Sequence, residues 1–410
     1  MTPERLCELR DTYRSGLLQD ILPFWLRHAV DHEFGGIMTS VDADGSNVDT
    51  DKGIWQQGRF AWLLGELINH VEPNETWRTI ALQTLDFLRK YGTDTTDGRM
   101  WFHVARDGRP IRKRRYAFSE SFAGIAWGEA ARFTGDPAFA RNARHCFQQF
   151  VQHNQHPPAG LAKFTSVRPT RGIGFPMITI ATAQELRSSI GMLDADAWID
   201  RSIRMIRQYF VKPELQCVME TVAEDGSILN HFDGRTLNPG HAIEGAWFIL
   251  AEGKYRQDAS LIDLGLQMLD WMWKKGWDQE HGGLLYFVSV DGRPVQEYWH
   301  EMKFWWPHNE LIIATLLAYQ LTGDAKYAER HALAHQWAYD HFPDPDQGEW
   351  FGYLRRDGSR SSSLKGNLWK GPFHLPRMQL ICWQLCDEML SSADQDSSNA
   401  RGGALPPSSG

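Results

Sequence analysis

The chain has 410 residues, of which 42% are hydrophobic and 23% charged, with a formal net charge of −8. That charge excludes a broad basic surface for nucleic acid, and no run of about 18 apolar residues is present to span a bilayer. The start, MTPERLCELRDTYRSG, lacks the apolar centre of a secretory signal. The scattered cysteines Cys7, Cys146, Cys217, Cys382 and Cys386 form no CxxC pair and read as reduced thiols, so a cytoplasmic protein is expected.

In chain order, a helical pattern at 3–30 leads into FGGIMTSVDADG (34–45), an aromatic and β-branched stretch closed by Asp-Gly. Helical patterns at 54–71 and 75–92 follow, and then a second such stretch, GRMWFHVARDG (98–108). Patterns at 118–135 and 137–154 precede a degenerate copy, GLAKFTSVRP (160–169). The same alternation continues with 176–190, 193–211 and ELQCVMETVAEDG (214–226), then with 240–255, 259–276 and GGLLYFVSVDG (282–292). It closes with 304–322, 325–341, GEWFGYLRRDG (348–358) and a last helix at 374–391. The turn aspartates stand at 44, 107, 225, 291 and 357, about sixty residues apart or twice that. Asp-Gly supplies the positive φ of a tight turn, so each stretch reads as a short hairpin.

A fixed period means one supersecondary unit repeated, here two helices and a hairpin, six times. The members of a pair differ: FWWPHNELIIATLLAYQLT (304–322) is apolar nearly all round, while AKYAERHALAHQWAYDH (325–341) is amphipathic. The predicted fold is all-α, an (α/α)6 barrel of about twelve helices, with apolar helices inside and hairpins walling a cavity at one end. An open helical solenoid accounts less well for the number six. A single domain is expected over 1–391, with a disordered tail over 392–410.

Four polar and aromatic segments sit at predicted inner-helix starts: WQQGR (55–59), NPGHAIEGAW (238–247), KFWWPHNE (303–310) and KGPFHLPR (370–377). Helix starts in a ring lie at one end, so their side chains can converge. His241 and Glu244, three residues apart, share a helix face, where the carboxylate would orient the imidazole and raise its pKa. His374 with Arg377, and His308 with Glu310, repeat the theme. A single buried histidine is more often a satisfied core group, but three at corresponding points favour chemistry. The 18 Trp, 21 Phe and 11 Tyr suit either a helical core or a carbohydrate site. His331 and His335 have zinc-like spacing but lack the glutamate of HExxH and fall on an outer helix. No GxxxxGK[ST], GxGxxG or GxSxG occurs, and histidines rather than isolated acids favour proton transfer at carbon over glycosidic cleavage.

These segments, together with DTDKGIWQQGR (49–59), RPIRKRRYAFSESF (109–122), WDQEHGGLLYF (277–287) and DPDQGEWFGYLRRDG (344–358), resemble the N-acylglucosamine 2-epimerase family from about Phe24 to Cys386. The resemblance implies the same barrel and inversion at C2 of an open-chain sugar, with N-acetylglucosamine and N-acetylmannosamine as the pair. Mannose isomerases and cellobiose 2-epimerases are the related alternatives. It implies His241 and His374 as the acid–base pair, Arg59 at the carbonyl oxygen and Glu244 as an orienting acid. Glu310, His308, Trp305, Trp55, Lys303 and Arg377 would bind substrate. It further implies no required cofactor or metal, ATP as a possible activator, and a homodimer. One departure is Trp369, which puts a bulky ring before Lys370 where a smaller or Phe-like residue is expected.

Overall fold

The computed structural model describes residues 1–114, 116–157 and 162–402. Its helices in chain order are α1 (Pro3–Ser15), α2 (Leu22–His28), α3 (Ile54–His70), α4 (Glu75–Tyr91), α5 (Ser119–Thr134), α6 (Pro137–Gln155) and α7 (Gly174–Ile190). There follow α8 (Ala195–Met205), the single turn α9 (Phe232–Arg235), α10 (Pro239–Arg256), α11 (Ala259–Gly276), α12 (Trp305–Thr322), α13 (Ala325–His341) and α14 (His374–Gly402). A π-helical turn, Gly16–Ile21, joins α1 to α2. Pro23 explains it: its ring has no N–H and would strike the carbonyl four residues back, and widening that turn removes the clash.

Helices α3, α5, α7, α10, α12 and α14 pack successively side by side as an inner ring, and α4, α6, α8, α11 and α13 lie outside, with α1 against α14. This is the (α/α)6 barrel that the repeat predicts. The inner members are buried on nearly every face: from Trp305 to Ala318 every residue of α12 is buried, against a single stripe on α13. Close approach needs small residues. A Cβ on Gly58 of α3 would lie 2.7 Å from the backbone of Phe122 on α5.

The breakers between paired helices have one design. Gly135 and Gly323 end α5 and α12 in the left-handed conformation, and Asp136 and Asp324 then cap α6 and α13 by accepting from backbone N–H groups. The five glycines of the Asp-Gly turns have φ between 79° and 91°.

The strands differ from expectation. Ser40–Val41 with Asn47–Asp49, His103–Val104 with Pro110–Arg112, and Leu354 with Arg360 close locally around their own Asp-Gly turns. Elsewhere the short strand leading into an inner helix pairs with the strand of the following repeat. Lys52–Gly53 pairs with His103–Val104, Thr170–Gly172 with Thr221–Ala223, Thr236–Leu237 with Val288–Ser289, and Lys303–Phe304 with Tyr353–Leu354. Two-residue hairpins are marginal alone, so pairing between repeats gives each a partner and links neighbouring units. The ring closes the same way: the backbone of Val41 hydrogen-bonds Lys365 and Gly366, just ahead of α14. The degenerate copy at 160–169 begins within 158–161, outside the described residues.

A buried ion pair recurs with the repeat. Lys52 Nζ meets Asp31 at 2.8 Å, Lys303 meets Asp278 at 2.9 Å and Lys365 meets Asp344 at 3.0 Å. Each ammonium also reaches the carbonyl of a glycine four residues past the aspartate, Gly35, Gly282 or Gly348. Burial works to raise the Asp31 and Asp278 carboxyls, yet Arg106 with Lys52, and Arg356 with Lys303, hold both well below the usual carboxylate range. The last helix also departs from expectation. It carries past 391 to Gly402, through a stretch, SSADQDSSNA, without proline or glycine before that residue, and Ser391 and Ser392 bond back to the carbonyls of Asp387 and Glu388. Residues 403–410 lie outside the described residues.

Candidate active site

A cavity of about 1780 Å³ runs from the strand-bearing end into the ring. Trp55, Arg59, His241, Trp305, His374 and Arg377, all expected from the sequence, line it.

His241 stands in the first turn of α10. Asn238 caps that helix, its side chain accepting from the His241 N–H at 3.1 Å, and Pro239 follows at the first helical position. Gly240 is needed because a Cβ there would come within 2.7 Å of the Trp306 ring. The indole of Trp306 touches both histidines, with ring centroids 5.0 Å from His241 and 5.6 Å from His374. His374 opens α14, with Phe373 and Arg377 packed beside it.

The two imidazoles are held in different ways. His374 Nδ1 lies 2.7 Å from Glu310 Oε1, and the same oxygen accepts from Arg377 Nη2 at 2.7 Å. Glu310 Oε2 accepts from the Trp247 indole at 2.7 Å. Arg377 Nη2 also donates to Glu244 Oε1 at 2.7 Å. His241 Nδ1 instead faces Glu220, 3.0 Å from Oε2 and 3.2 Å from Oε1. With carboxylates at both Nδ1 atoms, each ring carries its N–H there and leaves Nε2 as the reactive nitrogen. Among the described residues neither Nε2 has a hydrogen-bond partner.

Electrostatics separates them further. Burial, then the charges of Arg59 and Arg377, push His374 well below the ordinary histidine value against the pull of Glu244. Burial also works against charge on His241, but Glu220 outweighs it and the pKa is raised. Burial and two cations thus favour the free base at His374, while the neighbouring carboxylate favours the imidazolium at His241.

Arg59 has no carboxylate partner among the described residues. Its guanidinium lies over Phe122, Phe373 and Trp55, at 4.1, 4.7 and 4.9 Å from the ring centres. Burial and the neighbouring Arg377 charge bring it down to about 9, which leaves it cationic at neutral pH. Trp55 donates its indole N–H to the Leu368 carbonyl. Trp305 sits edge-on to Tyr353 and His374. Trp369 packs against Trp55 and Phe102 at the cavity wall, so its bulk forms part of the site.

Four expectations need correction. Glu310 does not line the cavity as a sugar ligand; it is buried beneath His374 with both oxygens engaged. Glu244 does not orient His241; it pairs with Arg377, and Glu220 takes that place. Lys303 does not line the cavity, because it is engaged in the buried pair with Asp278, with burial pressing it down to about 8. His308 also points away from it. Its Nδ1 donates to the Phe304 carbonyl at 2.7 Å, its Nε2 accepts from the Leu284 N–H at 2.8 Å, and its ring stacks on Trp337, with burial driving its pKa to about 3. His331 and His335 are likewise structural, both bonded to the Tyr13 hydroxyl. Glu244, Glu310 and His374 lie close enough to share a metal, but Arg377 Nη2 holds the place of the cation between the two carboxylates.

Glu220 and Trp306 were not singled out by sequence reasoning. A signal for Glu220 existed. Five residues before the turn aspartate, the repeats carry Thr39, Phe102, Glu220, Tyr286 and Gly352, so one unit alone places an acid there.

No helix is long and apolar enough to cross a membrane among the described residues. The pattern of the family described as N-acylglucosamine 2-epimerase (GlcNAc 2-epimerase) matches residues 35–374. The chain is 35% identical over 388 residues to the N-acylglucosamine 2-epimerase of Bos taurus, covering 92% of this chain and 90% of that one. It is 33% identical to the Homo sapiens protein of the same name, covering 92% and 88%. Its fold is similar to cellobiose 2-epimerase from Spirochaeta thermophila, with a TM-score of 0.81 at 20% identity over 94% of this chain and 98% of that one. The chain belongs to the N-acylglucosamine 2-epimerase family.

Proposed function

We propose that this protein is an isomerase that interconverts N-acetylglucosamine and N-acetylmannosamine by inverting C2 of the open-chain sugar. The reading rests on a pair of oppositely poised imidazoles, each with Nδ1 on a carboxylate and, among the described residues, Nε2 free, in one cavity with an arginine that has no carboxylate partner among those residues.

Ring opening exposes the C1 aldehyde, which makes the C2 hydrogen acidic because the resulting anion delocalises onto O1. In one direction neutral His374 removes that proton through Nε2. Arg59 stabilises the enolate oxygen, the larger electrostatic contribution. The His241 imidazolium delivers a proton to the opposite face, and the roles exchange in the reverse reaction. Positioned acid–base groups of this kind typically contribute roughly 10²–10⁴-fold each. The electron sink is the substrate's own carbonyl, so the reading asks for no redox cofactor or metal. A homodimer, a cytoplasmic setting and activation by ATP belong to the same proposal, and are tested by sedimentation, by fractionation and by assays with and without nucleotide.

The deciding experiment is N-acetylmannosamine turnover in D₂O followed by NMR. The expected product carries solvent deuterium at C2. Product with its original hydrogen would overturn the mechanism, and faster turnover of mannose or cellobiose than of the N-acetylated sugar would overturn the substrate.

A further inference from the structure

The two imidazoles differ in the company their carboxylates keep. Glu310, beneath His374, is bonded as well to Arg377 and Trp247, and its negative charge is divided among three donors. Glu220, beneath His241, has His241 as its one ion-pair partner among the described residues. Both of its oxygens lie within hydrogen-bond distance of one nitrogen.

Glu220 is also rigidly placed. Its carbonyl accepts from the Ile173 N–H at 3.0 Å, and the next three residues pair with Thr170–Gly172 ahead of α7. The His241 backbone is fixed independently by Asn238. Carboxylate and imidazole are thus set by two different repeats and meet at the cavity wall. The other charged or titratable groups facing this pair are Glu244, Lys163, Tyr286 and His374. Of these Glu244 favours charge on His241 and Lys163 opposes it. Since Glu244 is bonded to Arg377, Glu220 is the acid in contact.

We propose that Glu220 is the positioning residue for proton delivery by His241: its carboxylate fixes the ring's tautomer, aims Nε2 into the cavity and sustains the positive charge that the donor needs. This rests on the epimerase reading for the word delivery, but not for the charge. The carboxylate does not touch the reacting carbon. It acts through the ring, in the way a buried acid beneath a histidine general base does elsewhere.

The test is Glu220→Gln, with Glu220→Asp as the conservative companion. Glu220→Gln is expected to lower kcat by about 10- to 10³-fold with KM close to the wild-type value. It should also move the alkaline limb of kcat/KM to lower pH, and Glu220→Asp should recover part of both effects. In substrate-free enzyme, the ring resonance that disappears in His241→Asn should titrate at lower pH in Glu220→Gln than in wild type. An unmoved ring titration together with an unmoved alkaline limb overturns the proposal, whatever happens to kcat. The substrate-free titration keeps the two claims apart. If wild-type enzyme exchanges no C2 hydrogen, the epimerase reading fails while the titration still reports whether Glu220 charges His241.

Discussion

His374 and His308 invite comparison. Both are buried, both sit near the start of an inner helix, and in both burial drives the pKa far down. His308 has both nitrogens engaged, by the Phe304 carbonyl and the Leu284 N–H. His374 has one on Glu310 and the other open to the cavity. A depressed histidine therefore does not mark a reactive one; an unsatisfied nitrogen facing a void does.

Substitutions should tell the reactive rings from the structural ones. The largest effect is expected from His374→Asn, which removes the base and should lower kcat/KM by about 10³–10⁴-fold, read in a coupled sugar assay. His241→Asn should be comparably slow in inversion, yet His374 should still exchange C2 hydrogen with D₂O from the epimer whose proton it faces. Exchange without inversion, followed by NMR, is the signature that separates the two rings. Next, Arg59→Met should lower kcat by about 10²–10³-fold with a smaller change in KM, as loss of an oxyanion donor does.

The structural partners should behave otherwise. Lys303→Met leaves Asp278 buried with one cation fewer and is expected to cost about 3–5 kcal/mol, seen as a lower midpoint in urea, while kcat at permissive temperature stays near wild type. His308→Gln should cost about 1–3 kcal/mol and leave the pH–rate profile unmoved.

The two kinds of histidine also part company with pH. In the direction in which His374 is the base, activity needs His374 neutral and His241 charged. The profile should therefore rise through a pKa well below 6.5 and fall through one above it. Stability follows the buried rings instead. His308 and His331 titrate at about 3 and His335 at about 4 in the folded chain, all pressed down by burial. Below the ordinary histidine value of about 6.5 the unfolded chain takes up protons that the folded chain refuses. The stability these rings confer is complete above that pH and is lost as pH falls toward 3, at up to about 1.4 kcal/mol per pH unit for each ring. His308→Gln should flatten that acid slope.

The helices were legible because their periodicity and their Thr-Gly-Asp breakers are local signals, and the Asp-Gly turns fixed the repeat count. The strand partners were not, since pairing Lys303–Phe304 with Tyr353–Leu354 is a property of two repeats and not of either stretch alone. The same limit explains the misplaced site residues. Lys303, His308 and Glu310 share one eight-residue segment, and only the direction each side chain takes from α12 separates a clamp, a packing group and a site acid. A repeat-by-repeat register would have helped: aspartate, then glycine four residues later, recurs at 31, 94, 278 and 344, and marks a lysine partner further along the chain.

Arg59 belongs to the first inner helix and His374 to the last, more than three hundred residues apart in sequence. They become neighbours only because Val41 zips to Gly366 and the ring shuts. The reacting groups therefore meet at a seam, where the fold's beginning is joined to its end. A chain emerging from the ribosome can stack repeat upon repeat, but it holds no assembled site until its final helix docks. Whatever loosens that seam would silence the enzyme before it unfolds the barrel.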